Sequence, residues 1–211
     1  CLKLEESASI PKVGDKDVLV KRGTAKCIDQ SEWPANIAQS MGLLNFRDLI
    51  IPKGKYPFPA KDDVVPGSDG AGTVEEVGSG VTRFKKGDRV VTLFNQAHIA
   101  GSLDHQSLQT GLGGAVDGTL REYGIFDEQG LVAAPKNLND LEASTLSCAG
   151  LTAWNALYGL ESRALKPGQW VLTQGTGGVS CFAMQFAKAA GAVVIATTSS
   201  KAKQSEINDK I

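Results

Sequence analysis

The feature that most constrains the fold of this chain is a glycine-rich turn between a strand-like and a helix-like segment. The apolar pair Val171-Leu172 leads into the turn, whose glycines lie between positions 175 and 178. Small and apolar residues then recur at helical spacing from Val179 to Ala190, and a β-branched run, Val193 to Ala196, follows. This succession of strand, turn, helix and strand is typical of the first unit of a dinucleotide-binding fold.

The turn predicts a site for the pyrophosphate of a nicotinamide cofactor. Glycine has no Cβ, so the backbone can approach the anion closely, and a helix N-terminus offers free N–H groups and a positive dipole end. The third position of the glycine fingerprint is Ser180, which is still small enough for close helix–strand packing. A tight turn without a ligand is the alternative. The predicted cofactor contacts here are Gly175, Thr176, Gly177, Gly178 and Val179.

The residues that follow the second strand favour NADP(H) over NAD(H). An NAD-specific site carries an acid about 20 residues after the turn, to bind the ribose 2′-hydroxyl. Residues 196–201 contain no Asp or Glu, but they include Thr197, Ser199 and Lys201. Hydroxyls and an ammonium group suit a 2′-phosphate. We therefore predict that these three side chains contact the cofactor, with a solvated loop as the alternative.

Composition limits the other classes of function. The chain has 211 residues, a net charge of −1 and 42% hydrophobic residues, which is long enough for one large or two modest domains. The charge favours neither nucleic acid nor an anionic membrane, and the apolar runs are shorter than the roughly 20 residues of a membrane span. The four cysteines lie far apart, which favours a reduced, cytoplasmic protein. A small-molecule substrate is therefore expected, and the oligomeric state stays open.

The pattern changes along the chain from strands to helices. Short β-branched runs separated by Gly- and Pro-rich turns occupy residues 1 to about 145 and predict a small, irregular β-barrel. The predicted strands lie at 18–20, 73–77, 89–93, 120–126 and 131–133. A helix is predicted to begin near Leu141, after an Asn/Asp start signal, and a second one spans Thr152 to Leu160.

Several separated segments carry a family resemblance in their order and spacing. They are Leu44 to Leu49, Pro66 to Gly72, Gly87 to Val90, Ala149 to Trp154 and the glycine turn. Together they resemble the medium-chain dehydrogenase/reductase superfamily, in its zinc-free branch of quinone-oxidoreductase-like and enoyl-reductase-like proteins. The resemblance implies an α/β and β chain, with a GroES-like irregular β-barrel as catalytic domain at 1–145. An incomplete Rossmann domain, a doubly wound parallel sheet, would follow at 146–211.

The resemblance also implies an activity and its catalytic residues. A zinc-independent enzyme of this branch uses NAD(P)H to move a hydride to or from an enone, a quinone, or an aldehyde or alcohol. Asp48 matches a candidate proton donor, and Asn45 would hydrogen-bond the substrate oxygen or the nicotinamide ribose. Tyr56 matches a tyrosine that lines the cleft, and Thr152 matches a threonine near the nicotinamide carboxamide. Alternatively, Asp48 caps its helix or pairs with an arginine, Arg47 or Arg89, and Tyr56 is a wall residue only.

The zinc ligands of metal-dependent family members are mostly replaced in this chain. Asn45 and Ser68 stand at the positions of the first cysteine and the histidine, and only Cys148 keeps its ligand type. One suitable ligand of three cannot hold a catalytic zinc ion. No zinc is therefore expected.

Two departures from the family pattern bear on activity. Residues 22–42 form an extra segment, either a surface insertion with a short helix at 31–41 or an artefact of the coding sequence. The chain also ends at Ile211, after only two strands of the predicted parallel sheet. We therefore expect a C-terminally truncated family member. A non-catalytic nucleotide-binding paralogue or an inactive fragment is the alternative to an enzyme.

Overall fold

The structure, a computed structural model, divides the chain into two units. It describes residues 10–21, 42–201, 203, 204 and 207. The first unit is Cys1–Ser147 and the second is Cys148–Ile211. Nearly all of the extra segment predicted at 22–42, with its helix at 31–41, lies outside the described residues.

An antiparallel sheet forms the framework of the first unit. Its path follows the order β5-β1-β3-β4-β6, and β2 pairs with β3. The strands are β1 (Asp17–Lys21), β2 (Gly42–Leu43), β3 (Asp69–Val77), β4 (Arg89–Thr92), β5 (Tyr123–Asp127) and β6 (Leu131–Ala133). Among the described residues of this unit, three short α-helices accompany the strands: α1 (Phe46–Ile50), α2 (His105–Leu108) and α3 (Asp140–Ala143).

Apolar residues from these strands build the core of the first unit. Successive side chains of a strand point to opposite faces, so alternate β-branched residues are buried together. The buried cluster consists of Val18, Val20, Val74, Val90, Leu112, Phe126 and Leu131. A smaller cluster joins Ala71 and Val91 of the sheet to Ala143 of α3. The start signal predicted before α3 is a capping box between Asn139 and Glu142.

The second unit contains a strand–helix–strand arrangement around the glycine turn. Its elements are α4 (Leu151–Tyr158), β7 (Trp170–Gln174), α5 (Gly178–Ala189) and β8 (Val193–Thr197). Strands β7 and β8 are parallel, with Leu172 opposite Ile195. Met184 and Ala187 of α5 are buried, whereas Leu172 is 60% and Ile195 44% exposed. One apolar face of this strand pair is therefore open among the described residues.

None of the helices in the described part of the chain is long and apolar enough to cross a membrane.

Candidate functional site

The start of α1 brings Asn45 and Asp48 together. Asn45 is the N-cap residue, and its backbone N–H donates to Asp48 Oδ2 over 2.8 Å. Asp48 is only 4% exposed, and burial raises the pKa of its carboxyl. The second oxygen, Asp48 Oδ1, is buried without a hydrogen-bond partner among the described residues. Asp48 thus caps its helix through one oxygen, as one interpretation of the sequence expects, while its other oxygen is buried without a hydrogen-bond partner among the described residues.

The amide group of Asn45 is held by neighbouring side chains. Asn45 Nδ2 donates to Asp69 Oδ2 over 3.0 Å and to Ser68 Oγ over 3.3 Å. An Asn side chain has two amide protons, so both are in use. Its oxygen faces the Asp48 N–H in a capping-box arrangement. A hydrogen bond from Asn45 to a substrate would therefore require the amide to release one of these partners.

Asp69 is a buried titratable group that had no predicted role from the sequence. Its side chain is fully buried and accepts hydrogen bonds from Asn45 and, over 3.4 Å, from Ser147 Oγ. Burial, and to a lesser extent the nearby Asp48 carboxyl, raise the pKa of Asp69 to about 6. In the sequence, the only signal that could have pointed to Asp69 is its position as an acidic residue within a run of small residues at 66–72.

The donor set at this site does not fit a catalytic zinc ion. Asn45 and Ser68 stand at two of the family's ligand positions, and Asn45 donates hydrogen bonds to both Ser68 and Asp69. Zinc sites are built from cysteine, histidine and carboxylate ligands rather than from amide and hydroxyl groups. Within the ranges that the structure describes, no group of three or more His, Cys, Asp or Glu residues could hold a metal ion.

Tyr56 is held by Arg47, a residue that the sequence analysis did not assign to the site. Arg47 Nε donates to Tyr56 Oη over 3.2 Å, and Arg47 Nη1 donates to the Leu112 carbonyl over 2.7 Å. The guanidinium carbon lies 5.0 Å from the ring centre of Tyr56 and 4.7 Å from that of Phe94. Tyr56 accepts in this contact, so its own hydroxyl proton stays available for another acceptor.

The sequence left open whether Asp48 pairs with Arg47 or with Arg89. Arg89 pairs with Asp140 at the start of α3 and also donates to the Leu138 carbonyl. Arg47 acts on Asp48 only through its charge, because its hydrogen bonds go to Tyr56 and Leu112. Both arginines are therefore engaged elsewhere.

The glycine turn in the second unit leaves open space at the start of α5. Gly175 has a φ of +88°, a left-handed conformation that favours glycine. A Cβ atom added at Gly175 or Gly177 would meet no heavy atom within 4 Å, and one at Gly178 would lie 3.4 Å from Ala149. Gly177 and Gly178 are exposed, as is Val179. The turn thus fits a pyrophosphate, because it combines free space with the N-terminus of a 12-residue helix.

Among the residues predicted to choose the cofactor, Thr197 also supports the turn itself. The Gly175 N–H donates to the Thr197 carbonyl over 3.1 Å, and Thr197 Oγ1 donates to the Thr173 carbonyl over 3.3 Å. Ser199 and Lys201 are exposed beyond the end of β8. Thr152 is exposed in the first turn of α4. The structure therefore gives Thr197 a structural contact, and all four side chains, Thr197 included, are exposed.

The family model and the known proteins that this chain resembles point to the same family. Residues 35–136 match the model of the alcohol dehydrogenase GroES-like domain. A zinc-type alcohol dehydrogenase-like protein of Schizosaccharomyces pombe is 51% identical over 160 residues, which are 76% of this chain and 46% of the relative. A quinone oxidoreductase of Pseudomonas aeruginosa is 37% identical over 161 residues, 76% of this chain and 42% of the relative.

Solved structures agree with these relatives. A quinone oxidoreductase of Pseudomonas syringae has a TM-score of 0.66 at 30% identity and covers 99% of this chain. A thermostable alcohol dehydrogenase of Pyrobaculum aerophilum, solved with bound cobalt and zinc, has a TM-score of 0.72 at 30% identity and covers 96%. The chain covers 51% and 57% of these two proteins, so it spans about half the length of its relatives.

Proposed function

Because the chain belongs to the medium-chain dehydrogenase/reductase superfamily, we propose that it contributes to an NADP(H)-dependent, zinc-independent oxidoreductase acting on an enone, quinone or aldehyde/alcohol. The observation that carries the proposal is the open glycine turn at the start of α5, where Gly175 and Gly177 face free space. This combination of strand, turn and helix supports binding of a dinucleotide.

The side chains around Asn45 support chemistry without a metal. Asn45 donates hydrogen bonds to both Ser68 and Asp69, so contacts within the protein hold these three side chains without an ion. A reduced nicotinamide, when bound, supplies a hydride to an electrophilic carbon of the acceptor. The protein then has to orient the acceptor and deliver a proton to the product.

Two groups are suited to these tasks. Tyr56 keeps a hydroxyl proton that can be donated to an acceptor oxygen, and Arg47 fixes the position of that hydroxyl. Asp48 has a raised pKa and one oxygen without a hydrogen-bond partner in the described part of the chain, which supports the proton-donor role implied by the family. Its burial means that a donated proton must pass through a neighbour or a water molecule.

The activity is tested by following oxidation of NADPH by the full chain with a quinone, an enone and an aldehyde as acceptors. The proposal expects turnover with at least one acceptor class and the same rate after dialysis against a chelator. NADPH binding without turnover would favour the non-catalytic nucleotide binder instead. Absence of cofactor binding would contradict both.

The proton-donor role predicts that Asp48→Asn lowers turnover by about 100-fold or more. Asparagine still offers an oxygen to the Asn45 N–H, so the helix cap survives while the acidic proton is lost. A matched control is Asp104→Asn, which changes the N-cap of α2, where Asp104 accepts from the Ser107 N–H. If Asp48→Asn and Asp104→Asn have equally small effects on turnover, Asp48 is a helix cap only.

The loop after β8 supports the choice of NADP(H). Ser199 and Lys201 are exposed there, and no acid is present between residues 196 and 201 to bind a ribose 2′-hydroxyl or repel a 2′-phosphate. Lys201→Glu should therefore weaken NADPH binding and shift the ratio of NADPH to NADH affinities by about 10-fold or more toward NADH.

The control for this change is Lys203→Glu, because Lys203 is exposed two residues further along. Both variants alter the net charge by the same amount, so a general electrostatic effect would move the two affinity ratios equally. Fluorescence titration with each cofactor measures the ratios. An unchanged ratio in Lys201→Glu would show that the loop does not select the cofactor.

A further inference from the structure

The loop between α1 and β3 carries Tyr56 and is long for a connection inside a compact unit. It runs over residues 51–68 and contains neither helix nor strand. Most connections in compact domains have about 4–6 residues. Because this longer loop has no regular ladder of hydrogen bonds, its contacts with other segments set the position of Tyr56.

One side of the loop is fixed at Tyr56 through Arg47. Arg47 donates to Tyr56 Oη and to the Leu112 carbonyl. Its guanidinium also packs closely against Gly114, because a Cβ atom added at Gly114 would lie 2.8 Å from Arg47 Nη2. The arginine therefore holds Tyr56 against a glycine-rich segment at 112–117.

The other side of the loop is fixed to the same segment at Lys61 and Val65. The Lys61 N–H donates to the Gly114 carbonyl over 2.8 Å. Lys61 Nζ donates to Asp117 Oδ2 over 2.6 Å, and the Val65 N–H donates to Asp117 Oδ1 over 3.0 Å. The two oxygens of Asp117 thus bridge the turn from Lys61 to Val65.

The turn bridged by Asp117 is constrained in its backbone and in its charge. Asp63, inside the turn, has a φ of 51°, a left-handed conformation that costs a non-glycine residue energy and persists where neighbouring contacts impose it. Burial raises the pKa of Asp117, but the hydrogen bonds from Lys61 and Val65 outweigh burial and bring the pKa below its ordinary value. The carboxylate is therefore charged at neutral pH and holds both partners by charge-assisted bonds.

The segment between Tyr56 and Lys61 transmits this constraint. Its sequence is Pro57-Phe58-Pro59-Ala60, and each proline fixes its own φ and restricts the residue before it. The Phe58 ring also contacts the Tyr56 ring edge-on, with 5.7 Å between the ring centres. A shift of Lys61 would therefore move Tyr56, because the four stiff residues between them absorb little of it.

We propose that Lys61 and Asp117, together the clamp, are positioning residues for Tyr56 and hold its hydroxyl where the oxygen of the acceptor binds. This inference rests on the proposed function, in which Tyr56 donates a hydrogen bond to that oxygen. The clamp itself touches neither acceptor nor cofactor. A hydrogen bond to an oxygen that gains charge strengthens in the transition state, so releasing the clamp lowers kcat more than it raises KM.

The test compares Lys61→Met with Lys61→Arg in the full chain. Methionine removes the ammonium group but keeps an apolar stem and the N–H bond to Gly114, whereas arginine keeps a cation for Asp117. Lys61→Met should lower kcat by about 10-fold and change the acceptor KM and the NADPH Kd by less than about 2-fold. Lys61→Arg should retain most of the wild-type kcat.

Asp88→Asn is the matched control for Asp117→Asn. Asp88 also holds a backbone N–H with one oxygen and a lysine ammonium with the other, both from Lys85, in the turn between β3 and β4. Asp117→Asn should lower kcat as Lys61→Met does, and Asp88→Asn should leave kcat unchanged. Equal losses in Asp117→Asn and Asp88→Asn would overturn the inference.

Fluorine NMR tests the clamp without turnover. The chain has three tyrosines, so fluorotyrosine labelling gives three signals, and Tyr56→Phe identifies that of Tyr56. This signal should shift in Lys61→Met and Asp117→Asn and keep its wild-type position in Asp88→Asn. An unshifted signal in both clamp variants would overturn the inference, even if kcat fell. A shifted signal in a chain that turns over no acceptor would support the positioning of Tyr56 by the clamp and contradict the proposed function.

Discussion

Gly177→Val should weaken NADPH binding by about 100-fold or more while leaving the fold intact. Gly177 has a φ of −78° and a ψ of 175°, a conformation that any L-residue adopts, and its added Cβ would contact no protein atom within 4 Å. The new side chain would instead fill the space proposed for the pyrophosphate. Loss of two hydrogen bonds between backbone N–H groups and a charged oxygen corresponds to about 3 kcal/mol or more, which is at least about 100-fold in affinity.

Fluorescence titration with NADPH measures this effect, and urea unfolding checks the fold. The matched control is Ala189→Val, which adds similar bulk to an exposed position about 17 Å away at the other end of α5. Ala189→Val should bind NADPH like the wild type. Equal affinities of Gly177→Val and the wild type would show that the open corner is a strand-to-helix turn without a ligand.

Asp69→Asn should stabilise the chain at pH 7 by roughly 3 kcal/mol. The pKa of Asp69 is about 6 in the folded chain, against an ordinary value of 3.8 for an aspartate, because the carboxyl is buried. The folded state then binds a proton more tightly than the unfolded state, so stability falls as the pH rises from about 4 to about 6. Above that window the full loss of about 3 kcal/mol is present. Asparagine carries no charge, so Asp69→Asn removes this loss of stability.

Urea unfolding of both proteins between pH 4 and pH 7 measures the prediction as a difference in the free energy of unfolding. The difference should be small near pH 4 and should grow up to about pH 6. Asp62→Asn, at an exposed position, serves as the control and should change stability by less than about 0.5 kcal/mol. A destabilised Asp69→Asn at pH 7 would mean that the hydrogen bonds from Asn45 and Ser147 outweigh the cost of burial.

The pattern of the sequence is sufficient to predict the framework of both units. The strands at 18–20, 73–77, 89–93 and 131–133 fall within or close to observed strands, because β-branched residues alternate with polar ones and glycine turns separate the runs. The strand predicted from Leu120 begins only at Tyr123, where pairing with β1 starts. The short helix α2 lies in a polar loop without helical periodicity, and only its N-cap, Asp104, marked it.

The candidate site was harder to predict, because its contacts join distant parts of the chain. The bond from Asn45 to Asp69 spans 24 positions, and that from Arg47 to Leu112 spans 65. Such contacts depend on how β3 and α1 pack, which no local pattern encodes. The identity of Asn45 and Asp48 pointed to the segment that contacts Asp69 in the structure, but the contacts of Arg47 and Asp69 emerge only from their neighbours.

The central claim is that a dinucleotide binds through its pyrophosphate at the turn before α5. The most direct test is NMR mapping of backbone amide signals of the wild-type chain during titration with NADPH. Binding there should produce saturable shifts at Gly175 to Ser180, in the turn and in the first turn of α5. Unchanged signals in this segment at saturating NADPH would contradict it.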